Sequence, residues 1–195
     1  MDADGQDDPN IIIDLIKASQ MKSSDAIVVE RTNRSEPFWF KFLYLVHKTV
    51  LFLFTGYQIK FGNFSLLKFQ TIGYLIHKSD IWAAYPAAIV SNLKKISRIK
   101  SERRRRYSGN SKVNLYKLFN HSSRVFSVFK YKIFIFSIFY YLISYLIFKN
   151  NSLIINFLFY SLLFANIYNF YIDFETKRDF EKKFNFLKPK IKKIF

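Results

Sequence analysis

Two carboxylates at the start of the chain, Asp2 and Asp4, are separated by a single residue. At the end of a strand, side chains with this spacing can reach the same hard cation, and Mg²⁺ or Mn²⁺ prefers such oxygen ligands. Such cations often bridge protein carboxylates to the diphosphate of a nucleotide. An acidic segment is also common as a solvated tail, so the pair alone leaves both interpretations open.

A second segment with chemical potential is the basic stretch from Arg103 to Lys112. Gly109 permits a tight loop in which backbone N–H groups converge, and a helix beginning after it adds a positive dipole. With Arg106 and Lys112 on either side, the stretch predicts a phosphate-binding loop. The alternatives are a juxtamembrane run attracted to anionic lipid and a nucleic-acid patch. The apolar segments that follow it argue against nucleic acid.

The composition suits a membrane protein better than a soluble domain. Of 195 residues, 50% are hydrophobic, yet the formal net charge is +17. Apolar blocks in lipid and basic blocks at its surface would account for both values. Cysteine is absent from the sequence, which excludes disulfides and thiolate metal sites. The histidines lack obvious paired acids, and we assign them no role.

Two charge-free apolar segments, 133–148 and 153–172, predict a transmembrane hairpin with a short outer turn. Each is about long enough to cross a bilayer, which takes roughly 17–25 helical residues. The outer turn carries only Lys149, whereas both flanks are strongly basic, so the flanks are expected in the cytoplasm. A pair of buried core helices is the soluble alternative.

A third apolar segment, 38–54, has a polar stripe formed by Lys41, Tyr44 and Lys48 at helical spacing. This pattern favours a helix that lies in the membrane interface with its lysines reaching outward. A third full span is the alternative, and it would reverse the side of the basic middle of the chain.

The remaining sequence predicts a mixed α/β unit. A helix is expected over 9–20, strands over 25–31, 65–69 and 96–102, and a further helix from Asn114 as its N-cap. The order of these features resembles the polyisoprenyl-phosphate glycosyltransferases of glycosyltransferase family 2, relatives of dolichol-phosphate mannose synthase. The resemblance rests on Asp-Ala-Asp-x-Gln-Asp-x-Pro from Asp2, on Gly62-Asn63-Phe64-Ser65, and on Arg106-x-x-Gly109-x-Ser111-Lys112 before the two spans.

The resemblance implies roles for individual residues. Asp2, Asp4 and Asp7 match the acidic catalytic motif, in which Asp2, Asp4 and Gln6 would hold Mg²⁺ or Mn²⁺ on the sugar nucleotide. Arg31 and Arg34 match basic residues near the donor or acceptor phosphates, and Arg106, Ser111 and Lys112 match the loop that grips the lipid phosphate. Asn63 belongs to the matched Gly-Asn-Phe motif without an assigned role.

The family's catalytic domain begins well before the acidic motif, so the resemblance implies an amino-terminally truncated chain. The expected organisation is a partial GT-A, Rossmann-like domain over 1–120, with the interfacial helix 38–54 and the loop 103–112. The juxtamembrane and hairpin region then covers 121–175, with spans 131–148 and 153–172, and a basic cytoplasmic tail covers 176–195.

The implied function is hexose transfer from a UDP- or GDP-sugar to a polyprenyl phosphate at the cytoplasmic face of the inner membrane. The chain would act as part of a truncated or split enzyme, with a homo-oligomer or a separate amino-terminal chain as further partners. A non-catalytic membrane remnant that binds anionic lipid or a partner protein is the alternative.

Overall fold

The computed structural model describes residues 7–32, 38–102 and 114–191, with side chains as far as residue 187. Within these ranges a small three-stranded sheet is combined with eight helices. In chain order the elements are α1 (Ile11–Met21), β1 (Ala26–Arg31), α2 (Phe38–Thr55), β2 (Phe61–Leu67), α3 (Phe69–Leu75), α4 (Asp80–Ala83), α5 (Tyr85–Asn92), β3 (Ile96–Ser101), α6 (Leu115–Val128), α7 (Lys130–Phe148) and α8 (Ser152–Ile191). The expectation of a mixed α/β chain is confirmed.

The sheet has the order β2-β1-β3, with β1 parallel to β3 and antiparallel to β2. Its central strand contains Ile27, Val28 and Val29, each at most 2% exposed. Branched side chains of this kind fit a pleated surface that is covered on both faces. The three strands lie where the sequence predicts strands, although β2 begins earlier, at Phe61 instead of residue 65.

Each face of the sheet has its own apolar cluster. Val28, Phe61 and Ile89 belong to the larger cluster, which also takes in residues from α2, α6 and the start of α7. Leu15 from α1 packs with Ile27, Val29 and Phe64 in the smaller one. The strands therefore lie between two helical layers, and the larger layer connects the sheet directly to the apolar helices.

Three helices in the described part of the chain are long and apolar enough to cross a membrane: α2, α7 and α8 up to residue 187. The helices α7 and α8 form the predicted hairpin, and their facing surfaces bury Ser137, Asn166 and Asn169. Asn156, by contrast, is exposed. Polar side chains between transmembrane helices are common because they can bond within the protein instead of meeting lipid.

An ion-pair cluster joins α7 to α8 where the apolar segments begin and end. Asp173 Oδ1 accepts from Lys130 Nζ at 2.8 Å, and its Oδ2 lies 3.0 Å from Lys177 Nζ. The side chains of Lys130 and Asp173 are 7% and 11% exposed, whereas that of Lys177 is 47% exposed. The cluster is thus buried on the α7 side and opens to solvent along α8.

The helix α8 does not end with the second apolar segment. It runs for 40 residues, about 60 Å at 1.5 Å per residue, so residues 176–191 continue the second apolar segment as helix where the sequence indicated a separate tail. Phe180 packs edge-on against Trp82 of α4 at a ring distance of 6.2 Å, and Phe184 stacks on Phe180 at 5.0 Å. The continuation is therefore docked on the α/β unit.

Candidate functional site

The carboxyl ends of the two parallel strands β1 and β3 form the candidate site. Their register places Arg31 beside Ser101, the last residues of the two strands. Thr32 continues this pairing, since its backbone N–H donates to the carbonyl oxygen of Ser101 at 3.1 Å. Ligands in open α/β sheets bind at such carboxyl ends, because several loops leave the sheet there together.

An ion pair between Asp7 and Arg31 lies at this end of the sheet. The Arg31 Nη2 donates to both carboxylate oxygens of Asp7, at 3.1 and 3.3 Å. Asp7 is 6% exposed, and the Arg31 side chain is 16% exposed. Asp8 begins the turn into α1 by accepting from the Asn10 backbone N–H at 3.0 Å, which fixes the direction of the chain beside Asp7.

The Arg31 guanidinium lies directly against Gly62 in the neighbouring strand β2. A methyl group built on Gly62 would come within 3.2 Å of Arg31 Cζ and 3.3 Å of its Nη1. Any larger residue at position 62 would therefore have to displace the guanidinium or the strand. The lack of a side chain at Gly62 gives Arg31 the space that it occupies beside Asp7.

The rest of β2 contributes polar groups of different kinds. Asn63 is exposed next to Gly62. The hydroxyl groups of Ser65 and Tyr85 are hydrogen-bonded across the gap between β2 and α5. Burial raises the pKa of Tyr85, an effect partly offset by this bond, so its phenol stays protonated at neutral pH.

Several residues that the sequence singles out lie outside the described residues. These are Asp2, Asp4, Gln6, Arg34, Arg106, Ser111 and Lys112. In the sequence, these residues come before Asp7, after Thr32 or after Glu102, and those three described residues belong to the candidate end of the sheet or directly follow it. Among the described residues, no cluster of three or more His, Asp or Glu side chains is placed to hold a metal ion.

Two features near the apolar helices were not identified from the sequence. His47 Nδ1 of α2 is hydrogen-bonded to Ser122 Oγ of α6 at 2.6 Å, and its ring lies edge-on to Phe126. Beside this pair, residues of α2, α6, α7 and α8 line an open cavity of about 230 Å³ whose walls are mainly apolar. Phe54, Ile133 and Leu162 are among its lining residues. His47 and Ser122 are 75 residues apart in the sequence, so no local residue pattern indicates that they form a hydrogen bond.

Comparison of the chain with known protein families, with curated proteins and with solved structures found no match.

Proposed function

We propose that this chain is the membrane-bound part of a glycosyltransferase that moves a hexose from a nucleotide-sugar to a polyprenyl phosphate, as part of a truncated or split enzyme. The observation that carries the proposal is that three described residues, Asp7, Arg31 and Ser101, lie together at one end of the sheet. Asp7 is the last matched acid of the acidic motif, Arg31 precedes Arg34, and Ser101 precedes the basic loop. Asp7 contacts Arg31, and Arg31 is paired in register with Ser101.

The chemistry of such a transfer suits the residues that converge there. A phosphate monoester is anionic at neutral pH, so its oxygen can attack the sugar carbon without a strong general base. The protein must then hold two anionic groups close together and neutralise the leaving diphosphate. By the resemblance, Asp2, Asp4 and Gln6 would hold Mg²⁺ or Mn²⁺, which supplies part of that neutralisation.

The geometry of α2 supports a position in the membrane interface. Its carboxyl-terminal residues Leu51 and Thr55 are buried, and Leu51 packs in the same cluster as Val28 of the sheet. At 18 residues it is about 27 Å long, so a crossing helix would carry Phe38 about that far from the sheet.

The chain from Thr32 to Phe38 is too short for such a crossing. Its six peptide units reach at most about 22 Å, and they include the charged residues Arg34 and Glu36, which would have to pass through hydrocarbon. A helix that lies along the surface avoids both difficulties, and its exposed Phe38, Phe42 and Leu45 would face lipid.

The cavity between α2, α6, α7 and α8 supports a lipid acceptor. Its apolar walls reach from the interfacial helix to the hairpin, and Ser122 and Ser123 lie among the lining residues. Part of an isoprenoid chain fits this volume and polarity.

The test is a transfer assay on membranes that contain the chain together with the polypeptide that completes its sheet. Radiolabelled UDP- and GDP-sugars are offered with polyprenyl phosphate and Mg²⁺, and label is measured in the lipid phase. We expect Asp7→Asn to lower the transfer rate roughly a hundredfold or more, because it weakens the ion pair that holds Arg31 near the reacting phosphates. Asp14→Asn is the matched control, since Asp14 is exposed on α1.

Absence of label with every donor would refute the proposal and leave a lipid-binding anchor as the function of the basic surface. Equal rates for Asp7→Asn and Asp14→Asn would remove Asp7 and Arg31 from the site.

A further inference from the structure

The two outer edges of the sheet differ in chemistry. The edge strand β3 carries Arg98 and Lys100, both exposed, and charges of this kind keep a free strand edge from pairing with another chain. The opposite edge strand, β2, reads Phe-Gly-Asn-Phe-Ser-Leu-Leu, with neither charge nor proline. Proteins rarely leave such an edge open, because it is a template for another strand.

The strand β2 is also covered on both faces, as an interior strand would be. Phe61 is 7% exposed in the larger apolar cluster, and Phe64 is 4% exposed in the smaller one on the other face. Helices α5 and α1 pack against β2. The layers above and below the sheet therefore extend over β2, and only its outer backbone edge has no neighbour among the described strands.

The hydrogen-bond register identifies which backbone groups face this edge. Lys68 N–H donates to Asp25 O at 3.3 Å, so Lys68 faces β1. Because antiparallel strands alternate between inward and outward pairs, Leu66 also faces β1, whereas Ser65 and Leu67 direct their N–H and C=O groups outward. Both residues are partly buried, and outward N–H and C=O groups on a strand edge are a template for a further strand.

We propose that the outer edge of β2 binds an extended strand from another polypeptide segment, which continues the sheet beyond three strands. The segment is uncharged and apolar on both faces, like Ile27-Val28-Val29 of β1, because it enters between the same two apolar layers. A second copy of this chain is a poorer occupant, since it would bring together two chains that each carry a net charge of +17. The inference extends the proposed split enzyme, but its test measures strand pairing and not sugar transfer.

The test places a photoreactive benzoylphenylalanine at Asn63, which is exposed on β2, and in a second protein at Lys100, which is exposed on β3. The full chain is irradiated in its native membranes, and the cross-linked peptide is identified by mass spectrometry. We expect the Asn63 position to cross-link to an extended apolar segment, at least tenfold more than the Lys100 position.

Proline at Ser65 provides the specific disruption. The backbone N–H of Ser65 points away from β1 and makes no hydrogen bond to that strand. Ser65→Pro therefore leaves the hydrogen bonds between β1 and β2 in place and removes one donor from the outer edge of β2. We expect it to reduce the Asn63 cross-link at least tenfold, whereas Ser65→Ala, which also loses the bond to Tyr85, retains it. Amide exchange gives a second readout if Ser65→Pro fails to fold. Ser65 and Leu67 should exchange at least tenfold faster in the purified chain than in the complex, while Leu66 and Lys68 stay slow in both.

Three results would overturn the inference. One is a cross-link between two copies of this chain, and another is equal cross-linking from Asn63 and Lys100. The third is slow exchange of Ser65 and Leu67 in the purified chain, which would mean that its own residues cover the edge. An assembly that cross-links as expected yet transfers no sugar would refute the proposed function alone.

Discussion

In the ion-pair cluster between α7 and α8, we expect the two buried residues, Lys130 and Asp173, to contribute unequally to the free energy of unfolding. In Lys130→Met, Asp173 keeps Lys177 at 3.0 Å, so the carboxylate remains paired. In Asp173→Leu, the Lys130 ammonium is left in a site where its side chain is 7% exposed, without its carboxylate partner.

The magnitudes follow from what each substitution leaves behind. Removing one member of a buried pair so that a charge is stranded costs about 3–5 kcal/mol, which we expect for Asp173→Leu. Losing a charged hydrogen bond while the remaining charge stays paired costs about 1.5–3 kcal/mol, which we expect for Lys130→Met. The double variant strands no buried ammonium, so it should be more stable than Asp173→Leu.

The free energy of unfolding is measured in detergent micelles by denaturant titration. Trp82 fluorescence reports the release of α8, because Phe180 of that helix packs on the indole ring. A Trp39→Phe background removes the other tryptophan signal. Lys177→Met is the matched control and should cost about 1 kcal/mol or less, since its side chain is 47% exposed. Equal costs for Lys130→Met and Asp173→Leu, or additive costs in the double variant, would refute this reasoning.

Three further substitutions test other parts of the structure. Asn114→Ala should destabilise the chain by about 1 kcal/mol in the same titration, because the Asn114 side chain accepts from the Lys117 N–H at 2.9 Å as the N-cap of α6; an unchanged midpoint would contradict this. Phe180→Ala should cost about 3–5 kcal/mol, since this ring is 8% exposed; a loss below 1 kcal/mol would mean that α8 is not docked. Gly62→Ala should lower the free energy of unfolding by about 1–2 kcal/mol, because the added methyl group crowds Arg31. Gly73→Ala is the control and should be neutral or stabilising, since its methyl group would meet nothing within 4 Å. Equal effects of the two substitutions would rule out the crowding.

The elements that the sequence predicts well are those with a local physical signal. The β-branched run in β1 marks a covered strand, and Asn114 precedes α6 as an N-cap whose bond is present. The start of β2 was missed because Gly62 and Asn63 are poor strand formers, and their place in a strand is determined by pairing with β1. The continuation of α8 was missed because charges after Asp173 resemble a solvated tail when the docking surface on α4 is unknown.

The candidate site could be predicted only in part for a similar reason. The family resemblance drew attention to Asp7, Arg31 and Asn63, but not to the packing of Arg31 on Gly62. That contact depends on the register between β1 and β2, which no residue pattern specifies by itself. The Lys130–Asp173 pair likewise spans 43 residues and becomes visible only when the hairpin is assembled.

The unbroken length of α8 has a consequence for how the α/β unit is oriented over the bilayer. A helix turns by 100° per residue, so the azimuth of Phe180 is fixed relative to Asn169 within the hairpin. Adding one residue between them would rotate the docking rings away from Trp82 and raise the unit by only about 1.5 Å. Adding about seven residues, close to two full turns, would restore the azimuth and raise it by about 10 Å. The height and the rotation of the α/β unit about the helix axis are therefore linked, so a change in the length of α8 alters both together.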